Sequence, residues 1–255
     1  MALSNKLTIA VQDLAASIIC SQPPQMPFFP TRPNSQPQSV QSIYQRVHFI
    51  LGQTLCLVFS GRDLSVCNLD GERVEPLEEA SQETRLLSRW SYLWTECQEW
   101  YKALPPQMQP ILEIRGLGAR ELGPSIASCF PVLIYTTPIA LAAKIAYHIT
   151  SFVLLNHRPR YLKTLPTPPG VTSATWHSQS IAGIATSNES VAQWDPILIA
   201  GLLLISKGVT HKRQQLELLD QLRRITAVTG ISLESEIESI RSEFHVSHRD
   251  EDDVS

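Results

Sequence analysis

The stretch at residues 129–160, CFPVLIYTTPIALAAKIAYHITSFVLLNHRPR, decides the fold. It is the longest apolar segment of the chain. Apolar residues at Ile139, Ala142, Ala143, Ala146, Ile149 and Val153 recur at steps of three and four and cover one wide helical face. Thr137-Pro138 reads as the start, because proline at the first helical position gives up an N–H that has no partner there anyway. The end is expected near Arg158, which the ring of Pro159 pushes out of the α region. A membrane-crossing helix needs about 20 consecutive apolar residues. Here Lys144, His148, Thr150 and Ser151 interrupt the run, and a lysine in mid-segment is costly in lipid. Lys144, His148 and Ser151 fall on one side, as in a soluble core helix with a narrow wet edge and no membrane partner. A helix apolar nearly all round must be enclosed. The expected fold is therefore all-α, an irregular multi-helix array around this central helix, with proline-rich loops.

The rest of the chain reads as the jacket. Residues 3–20 place Leu7, Val11, Leu14, Ala15 and Ile18 on one helical face, and residues 40–60 do the same with Ile43, Val47, Ile50, Leu51, Leu55 and Val58. A long helix is expected from Pro76 to about Leu104, carrying Trp90, Trp94 and Trp100 along one stripe. No basic residues interleave it as a base-stacking platform would require, so the stripe reads as core. Asp195 before Pro196 is a helix start in which the carboxylate caps free amides. Residues 210–230 form an amphipathic helix ending at Gly230, with Leu216, Leu219, Leu222, Ile225 and Val228 apolar. Residues 232–244 form a last helix capped by Ser232. Loops are expected at about 21–39 and 161–180, both dense in proline, and an acidic disordered tail at 245–255. No segment alternates with period two, so no strand is expected. Residues 1–244 make one helical domain.

With 43% hydrophobic and 18% charged residues the chain is globular, and a net charge of -3 argues against direct nucleic-acid binding by the whole chain. The five cysteines are scattered without a C-x-x-C pair, so neither a disulfide framework nor a zinc site is expected. Residues 116–123, GLGAREL followed by Gly123, lack both the spacing and the preceding strand of a nucleotide loop. Gly123-Pro124-Ser125-Ile126-Ala127 is one glycine short of a nucleophile elbow. Paired acids on one helix face, H-E-x-x-H and a phosphate loop are all missing from the sequence. No catalytic residue, cofactor or metal ligand is expected. His148 has no carboxylate nearby in sequence and reads as a core or interface histidine.

Three segments, taken in order, carry a resemblance. They are residues 89–114 (RWSYLWTECQEWYKALPPQMQPILEI), residues 130–160, and residues 194–244 opening on WDPILIAGLLLIS. Together they resemble the regulatory (middle homology) domain of fungal zinc-binuclear-cluster transcription factors. In that family a tryptophan-rich helix ends in a proline stretch, here Pro105 to Pro110. A helix with a Tyr-His pair and a basic-proline end follows, here Tyr147-His148 and Arg158-Pro159. A W-D-P start comes next, here Trp194, Asp195 and Pro196, ahead of a helix ending in Thr229-Gly230. The resemblance implies a transcription-regulator-like domain in the nucleus, or alternatively the cytoplasm. It implies effector or protein-partner binding, homodimer formation included, with Tyr147, His148, Arg158, Pro159, Trp194, Asp195 and Pro196 as a regulatory or packing motif. Tyr147 reads there as a packing residue and Arg158 as a capping one. These regulators read DNA through an N-terminal six-cysteine cluster holding zinc, which this sequence lacks. DNA contact is thus expected only indirectly or through a missing N-terminal module, as in a fragment, a mispredicted gene start or a regulator without its reading head. The competing expectation is a small-molecule enzyme or helical ligand-binding protein of secondary metabolism.

Overall fold

The structure, a computed structural model, describes residues 2–26, 39–60, 82–115, 129–160, 162, 171–188 and 195–252. Among them are eight α-helices: α1 (Ala2–Cys20), α2 (Val40–Phe59), α3 (Gln82–Lys102), α4 (Pro138–Asn156), α5 (Ala174–Ser187), α6 (Pro196–Ser206), α7 (Lys212–Thr229) and α8 (Glu234–Asp252). The fold is all-α. Helix α4 is its axis, touching α2, α3, α5, α6 and the single turn Pro106–Met108, while α1 lies on α6 and α2, and α7 and α8 follow outside α6.

Local chemistry explains why α4 forms where it does. Thr137 accepts the Ala140 N–H at 3.3 Å, Pro138 fills the first helical position, and at the far end the His157 N–H donates to Val153 O. Fourteen of its nineteen residues are buried, so neighbours enclose it on every side. The helix is long and apolar enough to cross a membrane, yet most of that apolar window is buried inside the protein. Lys144, His148 and Ser151 are buried as well, at 3%, 1% and 0% exposure. The wet edge expected for them is therefore closed, because α3 and α5 press on that side of α4.

The tryptophan stripe of α3 is core, and its polar edges are used. Trp90 Nε1 donates to Leu154 O at 2.8 Å, satisfying a carbonyl in the last turn of α4, and Trp100 Nε1 donates to Ile43 O of α2 at 2.9 Å. Two indoles thus bond α3 to both neighbours as well as filling space.

A short ribbon departs from expectation. Strands β1 (Leu112–Ile114) and β2 (Val132–Ile134) pair antiparallel, Leu112 opposite Ile134. Three residues are too few to display alternation. The free edge of β2 is held by α5: the Leu133 N–H donates to Ser187 Oγ at 3.2 Å and the Tyr135 N–H to Asn188 Oδ1 at 3.1 Å, while Asn188 Nδ2 donates to Leu133 O.

Other boundaries shift for local reasons. Helix α5 begins at Ala174, inside the expected 161–180 loop, because Ser173 accepts the Trp176 N–H at 3.2 Å. On α7, Leu216 and Val228 are exposed while Gln215, Leu218 and Gln221 are buried. The helix is turned so that Gln221 Nε2 donates to Ala185 O and Glu217 accepts the Cys129 N–H. Gly230 closes α7 in the left-handed region at φ 73, where a side chain is strained. Ser232 does not cap α8; its hydroxyl donates to Glu234, and α8 runs to Asp252, into the expected tail. The expected helix start at Pro76 and much of the expected 21–39 and 161–180 loops lie outside the described residues.

Close approach of backbone fixes one position outright. A Cβ on Gly183 of α5 would stand 2.2 Å from Pro131 O, a backbone atom, whereas a Cβ on Gly201 of α6 would meet the movable Cδ1 of Ile149 at 2.7 Å. Gly183→Ala is expected to lower unfolding free energy by ~3 kcal/mol and Gly201→Ala by ~1–2 kcal/mol. Urea titrations of both variants check the order.

Candidate functional site

The side of α4 that carries polar residues meets aromatic and basic groups from three other elements. Tyr147 stacks on Tyr101 (centroids 4.5 Å apart) and on Trp100 (5.8 Å), both from the C-terminal half of α3. One turn on, Ser151 Oγ lies 3.5 Å from Cys97 Sγ. Across the seam, His148 Nδ1 lies 3.0 Å from Nδ1 of His177 on α5. His177 Nε2 lies 2.9 Å from Val171 O. A carbonyl only accepts, so neutral His177 carries its proton on Nε2 and accepts at Nδ1, which makes His148 the Nδ1–H donor. Trp176 packs edge-on against His177 and lies 5.2 Å from His148.

The charged groups sit toward the ribbon. Arg115, just past β1, has its guanidinium 4.5 Å above the Trp176 ring, bonds Glu113 at 2.6 Å and reaches Ser180 Oγ at 3.1 Å. Lys144 Nζ lies 4.1 Å above the Tyr101 ring and 5.7 Å from that of Tyr147.

Burial governs the electrostatics. Desolvation brings Lys144 down to about 7; the Glu113 charge opposes the shift and Arg115 assists it. Desolvation likewise takes His177 down to about 4 against the pull of Val171 O, and holds His148 well below the usual imidazole range, with His177, Lys144 and Arg115 reinforcing it. The Tyr147 hydroxyl and Cys97 thiol are pushed the other way by burial, Cys97 to about 12. At neutral pH the seam is a set of uncharged donors and acceptors with one amine near its midpoint. Ser151 and Gln98 are hydrogen-bonding neighbours of the Tyr147 hydroxyl and moderate its upward shift. Among the described residues no three His, Cys, Asp or Glu side chains are grouped to hold a metal ion.

Of the residues singled out in the sequence, Tyr147 and His148 stand in this seam. Arg158 and Pro159 follow the far end of α4, about 15 Å along the axis from His148, where the Arg158 N–H donates to Leu155 O and His157 Nδ1 lies 2.9 Å from the Val153 carbonyl oxygen. Asp195 caps α6 by accepting the Ile197 N–H at 2.8 Å, with Pro196 at the first position, and Trp194 lies outside the described residues. Of the described motif residues only Tyr147 and His148 are buried; Arg158, Pro159 and Asp195 are partly exposed and Pro196 is exposed. Sequence reading did not assign His177, Tyr101, Arg115 or Trp176 to a site. Only the Ser173 cap followed by His177 and Ser180 at helical spacing signalled the α5 side.

No protein-family model, no curated protein and no solved structure matches this chain.

Two outcomes follow from these shifts. His148 and His177 bind protons more weakly folded than unfolded, so acidification from the ordinary 6.5 toward 4 favours the unfolded chain. Stability is expected to fall by up to ~1.4 kcal/mol per pH unit for each imidazole across that window, read by urea unfolding at stepped pH. Lys144 is also depressed, so its burial opposes folding below 10.5 and most fully below 7. Lys144→Met is expected to raise stability at about pH 7 by ~2–4 kcal/mol, measured the same way.

Proposed function

We propose that this chain is a regulatory-type helical domain, of the kind found in fungal zinc-binuclear-cluster transcription factors. Its work is to bind an effector or a protein partner, including a second copy of itself, rather than to turn over a substrate. The observation that carries this reading is convergence: the three segments with the family pattern supply α3 with the Pro106–Met108 turn, α4, and α6 to α8, and of these α3, the turn and α6 pack against α4. The seam adds support. Neutral buried donors and acceptors beside aromatic faces are suited to a small, mostly apolar ligand with a few polar groups. A ligand seated between α3, α4 and α5 would change how those helices pack, which is how a binding event reaches a partner surface.

On this reading the domain works in the nucleus, contacts DNA only through a separate module or partner, and needs zinc only in that module. A second reading, a helical ligand-binding protein or small-molecule enzyme of secondary metabolism, draws on the same seam and its unprotonated groups.

The test is transcriptional. The full chain fused to a heterologous DNA-binding module is expected to change expression of a matched reporter severalfold, in either direction, relative to that module alone. The purified chain is expected to hold substoichiometric zinc and to give no sequence-specific gel shift. A fusion without effect on the reporter, or stoichiometric zinc in the chain itself, would overturn the regulatory reading.

A further inference from the structure

We propose that the exposed face of α7 docks on the same face of a second copy of this chain, the two helices running antiparallel about a two-fold axis level with residue 222. The first ground is what that face presents to solvent. Leu216 and Val228 are 56% and 47% exposed, and Asp220, Arg223, Arg224 and Ala227 between them are exposed too. The helix cannot turn to cover the two aliphatic side chains. Gln215 Nε2 donates to Val209 O and Gln221 Nε2 to Ala185 O, both from the buried side, where Leu218, Leu222 and Ile225 also lie. Large apolar side chains held in water by such a constraint are stabilised when another surface covers them.

The second ground is the order of charge along the face. Leu216, Asp220, Arg224 and Val228 recur at every fourth position, with the acid in the N-terminal half and the base in the C-terminal half. Ridges of this spacing pack into one another with helix axes crossing at about 50°. Residues 216 and 228 are equally far from 222, as are 220 and 224. Reversing the second copy therefore sets Leu216 against Val228 and Asp220 against Arg224, twice over, in a single register. Arg223 lies beside Arg224 and reinforces the basic half. A parallel pairing would instead set Asp220 against Asp220 and arginine against arginine, which repel. A face that is its own complement only when reversed identifies the partner as another copy and fixes its direction. Asp220 already accepts from Arg223 of its own helix at 2.8 Å, but that pair is exposed and a carboxylate has room for a second donor. Glu217 is committed to the Cys129 N–H, and Lys212 and Arg213 precede the ridge, so none of the three enters the match.

One helix pair makes a small interface. The 18 residues of α7 span about 27 Å, too little to cover the about 1,600 Å² of a standard interface. The pairing is therefore reversible, with a dissociation constant on the order of 10–100 μM. Salt weakens it, because its charge pairs stay near solvent. As a regulatory device this dimer rests on the domain reading above; the pairing itself does not.

The experiment follows the intact chain by sedimentation equilibrium over a concentration series that brackets this range. A monomer–dimer equilibrium is expected, weakening severalfold from low to high salt. Asp220→Arg in one variant, and Arg223→Asp with Arg224→Asp in another, each set like charges face to face and are expected to weaken dimerisation about tenfold or more. Mixed in equal amounts, the two variants place the arginines of one copy against the aspartates of the other. A heterodimer within severalfold of the native affinity is expected. The substituted positions are exposed, so circular dichroism and urea midpoints of both variants are expected to stay close to native. A native chain that is monomeric throughout the series would overturn the proposal and leave the face to a different protein or to another segment of this chain. A dimer that ignores both variants would overturn it too, as would a mixture that stays monomeric. A dimer with this charge response alongside an inert reporter fusion would uphold the pairing and remove only its regulatory role.

Discussion

Desolvation of one face of α4 is the constraint on which the other features of this structure depend. On that face an amine and two imidazoles have been brought inside a core built mainly from Leu, Ile, Val, Ala and aromatic residues, while a third imidazole, His48, is buried on α2. Each gives up hydration worth several kcal/mol in its charged form, so burial keeps the imidazoles neutral and brings the amine down to about 7. His148 and His177 stay neutral in partnership, because a neutral histidine is both donor and acceptor, and the Val171 carbonyl dictates which is which. Lysine has no such neutral partner here. It rests on tyrosine faces, where a cation or a neutral amine is tolerated but neither is well paired.

The surrounding helices are arranged so that this inclusion does not loosen the core. The Trp90 and Trp100 indoles donate to backbone carbonyls of α4 and α2, fixing α3 at both ends of its contact. On the other side Asn188 and Ser187 fasten β2 to α5, and Gly183 lets Pro131 approach the α5 backbone closely. Arg115, at the end of β1, is thereby delivered to Trp176 and Ser180. The ribbon is small, but it sets the charged edge of the seam. Ligand binding at such a place would be coupled to helix packing, because the groups that line it are the groups that hold α3, α4 and α5 together.

Much of this was legible in the chain. The start of α4 could be read from Thr137 and Pro138, and the start of α6 from Asp195 and Pro196, because capping is a local property of three or four residues. The core role of the tryptophans followed from their spacing and from the lack of interleaved basic side chains. The seam could be read on one side only: Lys144, Tyr147, His148 and Ser151 are spaced along one helix, whereas their partners come from α3, β1 and α5. His177 sits in a stretch rich in Ser and Thr with no apolar period to announce a helix. Arg115 reaches the seam only through strand pairing that three-residue strands do not advertise. The supposed wet edge failed for the same reason, since a polar stripe looks alike whether water or another helix covers it. The family resemblance placed residues along α4 and α6 without indicating that Tyr147 and His148 meet His177.

The state of the two imidazoles tests the central claim most directly. Long-range nitrogen–proton correlation NMR on the intact chain reads protonation and tautomer for each histidine ring. The account predicts that His148 and His177 stay neutral down to about pH 5.5, with the proton of His148 on Nδ1 and that of His177 on Nε2. Rings that titrate near the ordinary 6.5, or that both carry the proton on Nε2, would contradict a dry, hydrogen-bonded seam at the heart of the fold.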